Sequence, residues 1–394
     1  MRKTLLLALG LMVCVPLGAQ TAPQRDSALA QARYLKSIYR TDEAVEVLSA
    51  LVKPGDIDET VMAELADCHF QSGDLESAAG TYFLLSARFP DPILYKIRLM
   101  QIYSRLKAYP QSIEAGQAVL KRDSIPAVVS SIGDSFNSMQ QADSALWYYR
   151  RSLALRPHNE TTLSKAMGIL LNAEDFDGAL SLSEPFLEQD PDNTTIAPLQ
   201  GLALYRKEAY KDAIQVFERQ LEVGNDSYPI HFYLGQCFWQ EKTLYRAEQE
   251  FKAAWQIDST DVGLAYSIAA LKSDMYYPFE SQIKPWLDKA WEMIQPDPSV
   301  ASRIQQQYGV GYYRKQDSWD QAIEHYKLAY QYNPKFIQSL STIGYCYQMK
   351  KDYKEALKWY EKYMAVARPG SNGYKFVEES IAYLKAELFM EEGR

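Results

Sequence analysis

The stretch HFYLGQCFWQ, residues 231–240, places His231, Cys237 and Trp239 within ten positions of one another. An imidazole and a thiol that close can share a metal ion or act as base and nucleophile. Both chemistries need further partners, and the chain does not supply them at usable spacing. The four histidines, His69, His158, His231 and His325, are scattered, and none belongs to an HExxH motif. The sequence has no CxxC, glycine-rich phosphate loop or nucleophile elbow. Its 50 acidic residues read as solvated helix positions with partners one turn away. The expectation is a protein that is not an enzyme, with no catalytic residues, no cofactor and no metal site.

The residues around the stretch recur. Alanine stands four residues before an aromatic or leucine at Ala44/Leu48, Ala78/Tyr82, Ala145/Tyr149, Ala213/Phe217, Ala247/Phe251, Ala322/Tyr326 and Ala356/Tyr360. Ser112 and Ala179 occupy the same register, so from Ala44 to Ala247 the spacings are 34, 34, 33, 34, 34 and 34. Then comes a gap of 75, two periods plus seven residues, and a final 34. Twelve residues before the alanine stands a small residue: Ala32, Ala66, Gly133, Gly201, Gly235 and Gly344, with Gly309 one residue further away. Twelve residues after it, Pro90, Pro157, Pro191 and Pro334 close the unit, because proline cannot continue a helix.

A period of this length marks a solenoid. The pattern resembles the tetratricopeptide repeat family over residues 25 to 370, about ten units. The resemblance implies an all-α, right-handed superhelical solenoid of helix-turn-helix repeats with a carboxy-terminal capping helix. Its small residues would lie where the two helices of a unit approach closest, and the aromatic would fill the hollow between one unit and the next. Repeats one to seven span 20–261, and 262–302 reads as an irregular eighth repeat carrying an insertion. Pro278 and Pro285 there predict an extended loop followed by a short helix. Repeats nine and ten span 303–370, and 371–394 reads as the cap, with Phe376, Ile381, Leu384 and Leu388 at helical spacing.

In this register Cys68, Cys237 and Cys346 share one slot, two residues after the small position. They read as small buried fillers, and repeats so far apart cannot be bridged by a disulfide. The resemblance also implies that first helices line an inner groove through the second, fifth, ninth and twelfth positions of each unit. Here those positions offer Tyr205, Phe232, Gln236, Trp239, Tyr266, Tyr313, Tyr345 and Gln348. The amino-terminal half offers Arg33, Lys36, Asp67, Gln101, Asp134 and Asn137 instead. Aromatic and amide side chains on such a surface fit a protein or peptide partner, because aromatics concentrate binding energy. A sugar chain stacked on the same rings, held for an envelope enzyme, is the alternative. The lysine and asparagine by which some members of the family hold a terminal carboxylate are absent as a pair.

Arg2 and Lys3, the apolar run TLLLALGLMVCVPLGA and the small residues ending at Ala19 read as a signal peptide, residues 1–19. The expectation is an exported chain, soluble after cleavage, in the periplasm of a Gram-negative bacterium. A net charge of −8 argues against nucleic acid or an anionic membrane surface as partner. With 29 Tyr against 14 Phe and 7 Trp, the chain favours rings that can stay half wet, as a groove requires. The sequence thus predicts a non-catalytic periplasmic scaffold for envelope or secretion assembly, with partner identity and oligomeric state left open.

Overall fold

The computed structural model describes residues 22–52, 57–293, 297–315 and 318–392. The signal peptide expected over 1–19 lies outside these residues. Among the described residues every regular element is helical. The chain divides into two compact units, Met1–Ile169 and Leu170–Arg394.

The first unit runs α1 (Ala22–Ser37), α2 (Thr41–Ser49), α3 (Glu59–Ser72), α4 (Leu75–Arg88), α5 (Ile93–Arg105), α6 (Tyr109–Leu120), α7 (Pro126–Ser138) and α8 (Ala142–Leu155). The division between units falls inside α9 (Glu160–Asn172). The second unit continues with α10 (Phe176–Leu187), α11 (Ile196–Arg206), α12 (Tyr210–Glu222), α13 (Tyr228–Gln240) and α14 (Leu244–Ile257). It then holds α15 (Val262–Asp274), a single π-helical turn (Phe279–Ile283) and α16 (Lys284–Met293). Last come α17 (Pro298–Arg314), α18 (Trp319–Tyr332), α19 (Gln338–Met349), α20 (Tyr353–Val366) and α21 (Asn372–Glu392). The helices form consecutive pairs, and the unpaired α21 follows the last of them. This is the helix-turn-helix repeat fold that the periodicity predicts.

Two local devices recur from pair to pair. The turn between the helices places one residue in the left-handed region, and that residue recurs at the repeat period. It is Tyr39, Gly73, Lys107, Gln140, Glu174, Glu208, Lys242, Tyr276 and Lys351, with φ between 58 and 87°. Such a residue ends the first helix and reverses the chain. The next backbone N–H then closes the turn, as Thr243 N does on Phe238 O at 2.9 Å. The second device is steric. A Cβ added at Gly235 would stand 2.6 Å from the ring of Phe251, and at Gly201 2.6 Å from Phe217. Gly133 against Tyr149 and Gly344 against Tyr360 repeat the contact at 2.7 and 2.6 Å.

That contact corrects the expected place of the aromatic. It does not only fill a hollow between units; its ring edge packs against the glycine of its own first helix. Phe217 then reaches onward to Tyr233 of the next first helix, with centroids 6.2 Å apart. The core is accordingly a chain of local clusters, such as Phe217, Leu234, Phe238 and Phe251 around α13 and α14. Cys68, Cys237 and Cys346 are buried and unpaired, each in its own repeat. Burial pushes the Cys237 and Cys346 thiols up to about 12, so they pack as small apolar groups and not as thiolates.

The insertion departs from the expected extended loop. Only Met275–Pro278 separate α15 from the π-helical turn. Gly311 makes room for this turn, because a Cβ there would stand 2.1 Å from the ring of Phe279. A buried ion pair, Lys272 Nζ to Glu248 Oε1 at 3.0 Å, fastens the same place. Lys272 also donates to Gln282 Oε1 at 3.2 Å, and the Tyr277 hydroxyl donates to Glu248 Oε2 at 3.2 Å. Burial works to raise the Glu248 carboxyl, but hydrogen bonds from Lys252 and Lys272 outweigh it and hold the carboxyl low. The cap also packs differently from its expected stripe. Val377, Ser380 and Leu384 are its buried residues, whereas Phe376 is 50% exposed.

Candidate functional site

Each predicted groove residue lies on a first helix of the second unit, and all eight are half-buried. Their surroundings differ. The Tyr205 ring lies 5.3 Å from Tyr233 and 5.9 Å from Tyr210. Phe232 stacks on Tyr228 at 5.8 Å and meets Tyr233 edge-on at 5.2 Å. Gln236 Nε2 donates to Ser267 Oγ at 3.1 Å. The Trp239 indole N–H donates to Asp274 Oδ2 at 2.8 Å, and its ring stands edge-on to Phe251 at 6.2 Å. Tyr266 lies under the Arg303 guanidinium at 5.3 Å, and burial pushes its hydroxyl up. Gln348 Oε1 accepts from the Tyr360 hydroxyl at 2.8 Å.

The two remaining residues come together. Tyr313 of α17 and Tyr345 of α19 lie 5.8 Å apart and line a pocket of about 550 Å³. Its other walls are Val310, Arg314, Tyr326, Ser341, Thr342 and Phe376. Two adjacent first helices supply Tyr313, Tyr345 and the two hydroxyls, and α21 adds Phe376 to the wall. Arg314 is held in the pocket wall: its Nη1 donates to the Ser273 carbonyl at 2.7 Å and to Ser273 Oγ at 3.0 Å. Burial, with the neighbouring Tyr345 hydroxyl, pushes the Tyr313 hydroxyl up. The site can therefore offer an extended chain two rings, two hydroxyl side chains and an exposed guanidinium anchored on Ser273.

The six other predicted residues do not join this pocket. Sequence reasoning missed Arg314, Ser341, Thr342 and Phe376. Ser341 occupies the fifth position of its repeat, so the same positional rule points to it. Nothing in the sequence points to Phe376, whose place depends on how the cap packs.

The polar residues of the first unit pair among themselves. Glu64 accepts from Arg33 at 2.5 Å and from Lys36 at 2.6 Å. Asp67 accepts from the Tyr82 hydroxyl at 2.5 Å, and Asp134 accepts from Tyr149 and Lys165, each at 2.8 Å. Gln101 accepts from Arg98 at 3.3 Å, and Asn137 is exposed. The buried tyrosines of α4 and α8 thus reach through their pairs and hold carboxylates on the opposite face. Among the described residues, no group of three or more His, Cys, Asp or Glu is placed to hold a metal ion.

The model of the tetratricopeptide repeat family matches residues 169–229. Human protein O-mannosyl-transferase TMTC1 is 26% identical over 191 residues, 48% of this chain and 20% of that protein. The chain thus spans about a fifth of that relative's length. The C-terminal part of a tetratricopeptide repeat-containing protein from Cytophaga hutchinsonii is 15% identical, with a TM-score of 0.49 over 62% of this chain and 98% of that one. A tetratricopeptide repeat protein from Parabacteroides merdae is 12% identical, with a TM-score of 0.45 over 63% of this chain and 97% of that one. The paired helices and the glycine–aromatic contact make an all-α helix-turn-helix repeat fold, and one stretch of it, residues 169–229, matches the tetratricopeptide repeat model. Such folds generally serve as non-catalytic scaffolds for protein–protein interaction. No helix among the described residues is long and apolar enough to cross a membrane.

Proposed function

We propose that this chain is an exported, non-catalytic adaptor that holds an extended segment of a partner protein on the first-helix face of its second unit. The observation that carries the reading is the pocket of Tyr313, Tyr345, Ser341 and Phe376, open on a face that otherwise pairs its polar groups internally. Rings of this kind concentrate binding energy when a partner covers them. The run of half-buried aromatics from Tyr205 to Tyr345 extends the contact along the face, and the apolar leader over 1–19 supports export to the periplasm.

Site-specific photo-crosslinking in the native cell tests this. A photoreactive residue at Ser341 should capture a protein, one at exposed Glu361 on α20 should not, and Tyr345→Ala should abolish the capture. Equal capture at both positions, or an adduct that carries sugar and no polypeptide, would overturn the reading. Export is checked separately: periplasmic material should begin at Gln20, and full-length chain confined to the cytosol would refute it.

A further inference from the structure

A second pocket, of about 460 Å³, lies on the first-helix face of the first unit and is lined by Phe70, Arg98, Gln101, Ser104, Arg105 and Ser131, among others. Its chemistry is unlike that of the tyrosine pocket. Two guanidinium groups share the ring of Phe70, Arg105 at 4.3 Å and Arg98 at 5.8 Å from its centroid. The ring holds both groups in place without neutralising them.

Their charge is not fully answered from within the fold. Arg98 Nε is buried and makes no hydrogen bond, and its nearest carboxylate oxygen, on Asp67, is 3.8 Å away. That same oxygen accepts from the Tyr82 hydroxyl. Arg105 makes no ion pair among the described residues. The carboxylate that does line the wall, Asp134, is held by Lys165 and Tyr149. Arg98, Arg105 and Lys165 thus face two carboxylates, which leaves one positive charge in surplus. The Ser104 and Ser131 hydroxyls also make no hydrogen bond among the described residues.

We infer that this pocket reads acidic side chains: Arg98 and Arg105 receive the carboxylate of one glutamate or aspartate in an extended peptide partner. A guanidinium fork matches a carboxylate in shape and charge, and fixed forks lose little freedom on binding. The surplus of a single charge fits one carboxylate and not a polyanion, which the net charge of −8 also repels. The pocket spans three successive first helices, α3 with Phe70, α5 with both arginines and α7 with Ser131. A chain on this face therefore passes through the pocket, so the carboxylate comes from a side chain and not from a terminus. Ser104 and Ser131 are placed to hydrogen-bond its backbone.

The test uses the full chain and a short rhodamine-labelled peptide of alternating Glu and Gly with an amidated end, followed by fluorescence anisotropy. Its Gln counterpart should bind about tenfold more weakly or worse, and added salt should narrow the difference. Arg105→Gln should reduce the Glu peptide to the level of the Gln peptide, while Arg122→Gln, outside the pocket, should not. Arg105 is exposed, so its variant should keep the parent melting curve even where Arg98→Gln does not. Equal binding of the two peptides, or undiminished binding to Arg105→Gln, would overturn the inference. So would tighter binding of a Gln peptide with a free terminal carboxylate, or of a phosphoserine peptide. Tyr345→Ala should leave this binding unchanged, so the site stands or falls apart from the tyrosine pocket.

Discussion

His231 lies between two carboxylates, Nδ1 2.6 Å from Glu250 Oε2 on α14 and Nε2 2.5 Å from Asp226 Oδ1 ahead of α13. It is 8% exposed, and the hydrogen bond to Glu250, aided by Asp226, raises its pKa although burial opposes this. A raised folded-state pKa means that protonation favours the folded state. The stabilisation is complete below the unfolded value of about 6.5 and fades as pH rises through the folded value. His231→Gln should therefore lose most stability in mildly acidic urea melts and least above neutrality; a gap that is constant with pH would contradict this. Trp239 has a structural duty beside any role in binding, because it packs on Phe251 and donates to Asp274. Being half-buried, its truncation to Ala should cost about 2 kcal/mol of stability, read as a lower urea midpoint.

At the scale of the helix pair, the contact of glycine and ring sets the geometry. Gly235→Ala drives a methyl into Phe251 and should destabilise by about 1–3 kcal/mol. Phe251→Leu should relieve part of that loss, so a double-mutant cycle in urea should show positive coupling; strict additivity would refute the contact. The insertion rests on the Glu248–Lys272 pair, both residues about as buried as the core around them. Glu248→Gln leaves Lys272 charged without its carboxylate and should cost about 3 kcal/mol. Glu248→Met with Lys272→Met should cost clearly less in the same melts, because no buried charge remains.

Across the whole molecule, burial is shared among local clusters, each spanning neighbouring helices within one unit. Stability in such an array is close to a sum of repeat and neighbour terms. Gly133→Ala in the first unit and Gly344→Ala in the second should therefore add within about 0.5 kcal/mol. A strong coupling between them in denaturant melts would show cooperation beyond neighbouring repeats. The same locality explains how the chain can carry two pockets of different chemistry. An arginine pair near α5 and a tyrosine pair near α17 and α19 need only the helices beside them.

The helix pairs and their order were legible in the residues, because a small side chain, a ring and a proline at constant offsets meet within one repeat. The buried cysteines were legible for the same reason, since their slot is set by the register. Side chains that act between helices were not. His231 reads as incidental until Glu250 is brought to it across α13 and α14, and Glu248 looks solvated until Lys272 closes on it. The positional rule found Tyr313 and Tyr345 but could not tell that they share a pocket while Gln236, Trp239 and Gln348 are committed to internal bonds. Phe376 was expected in the seam of the cap and lines that pocket instead, half exposed. Periodicity encodes the contacts a residue makes at a constant distance along the chain, and so specifies the scaffold. Which face a half-buried side chain serves depends on partners at no constant distance, and only folding in three dimensions decides that.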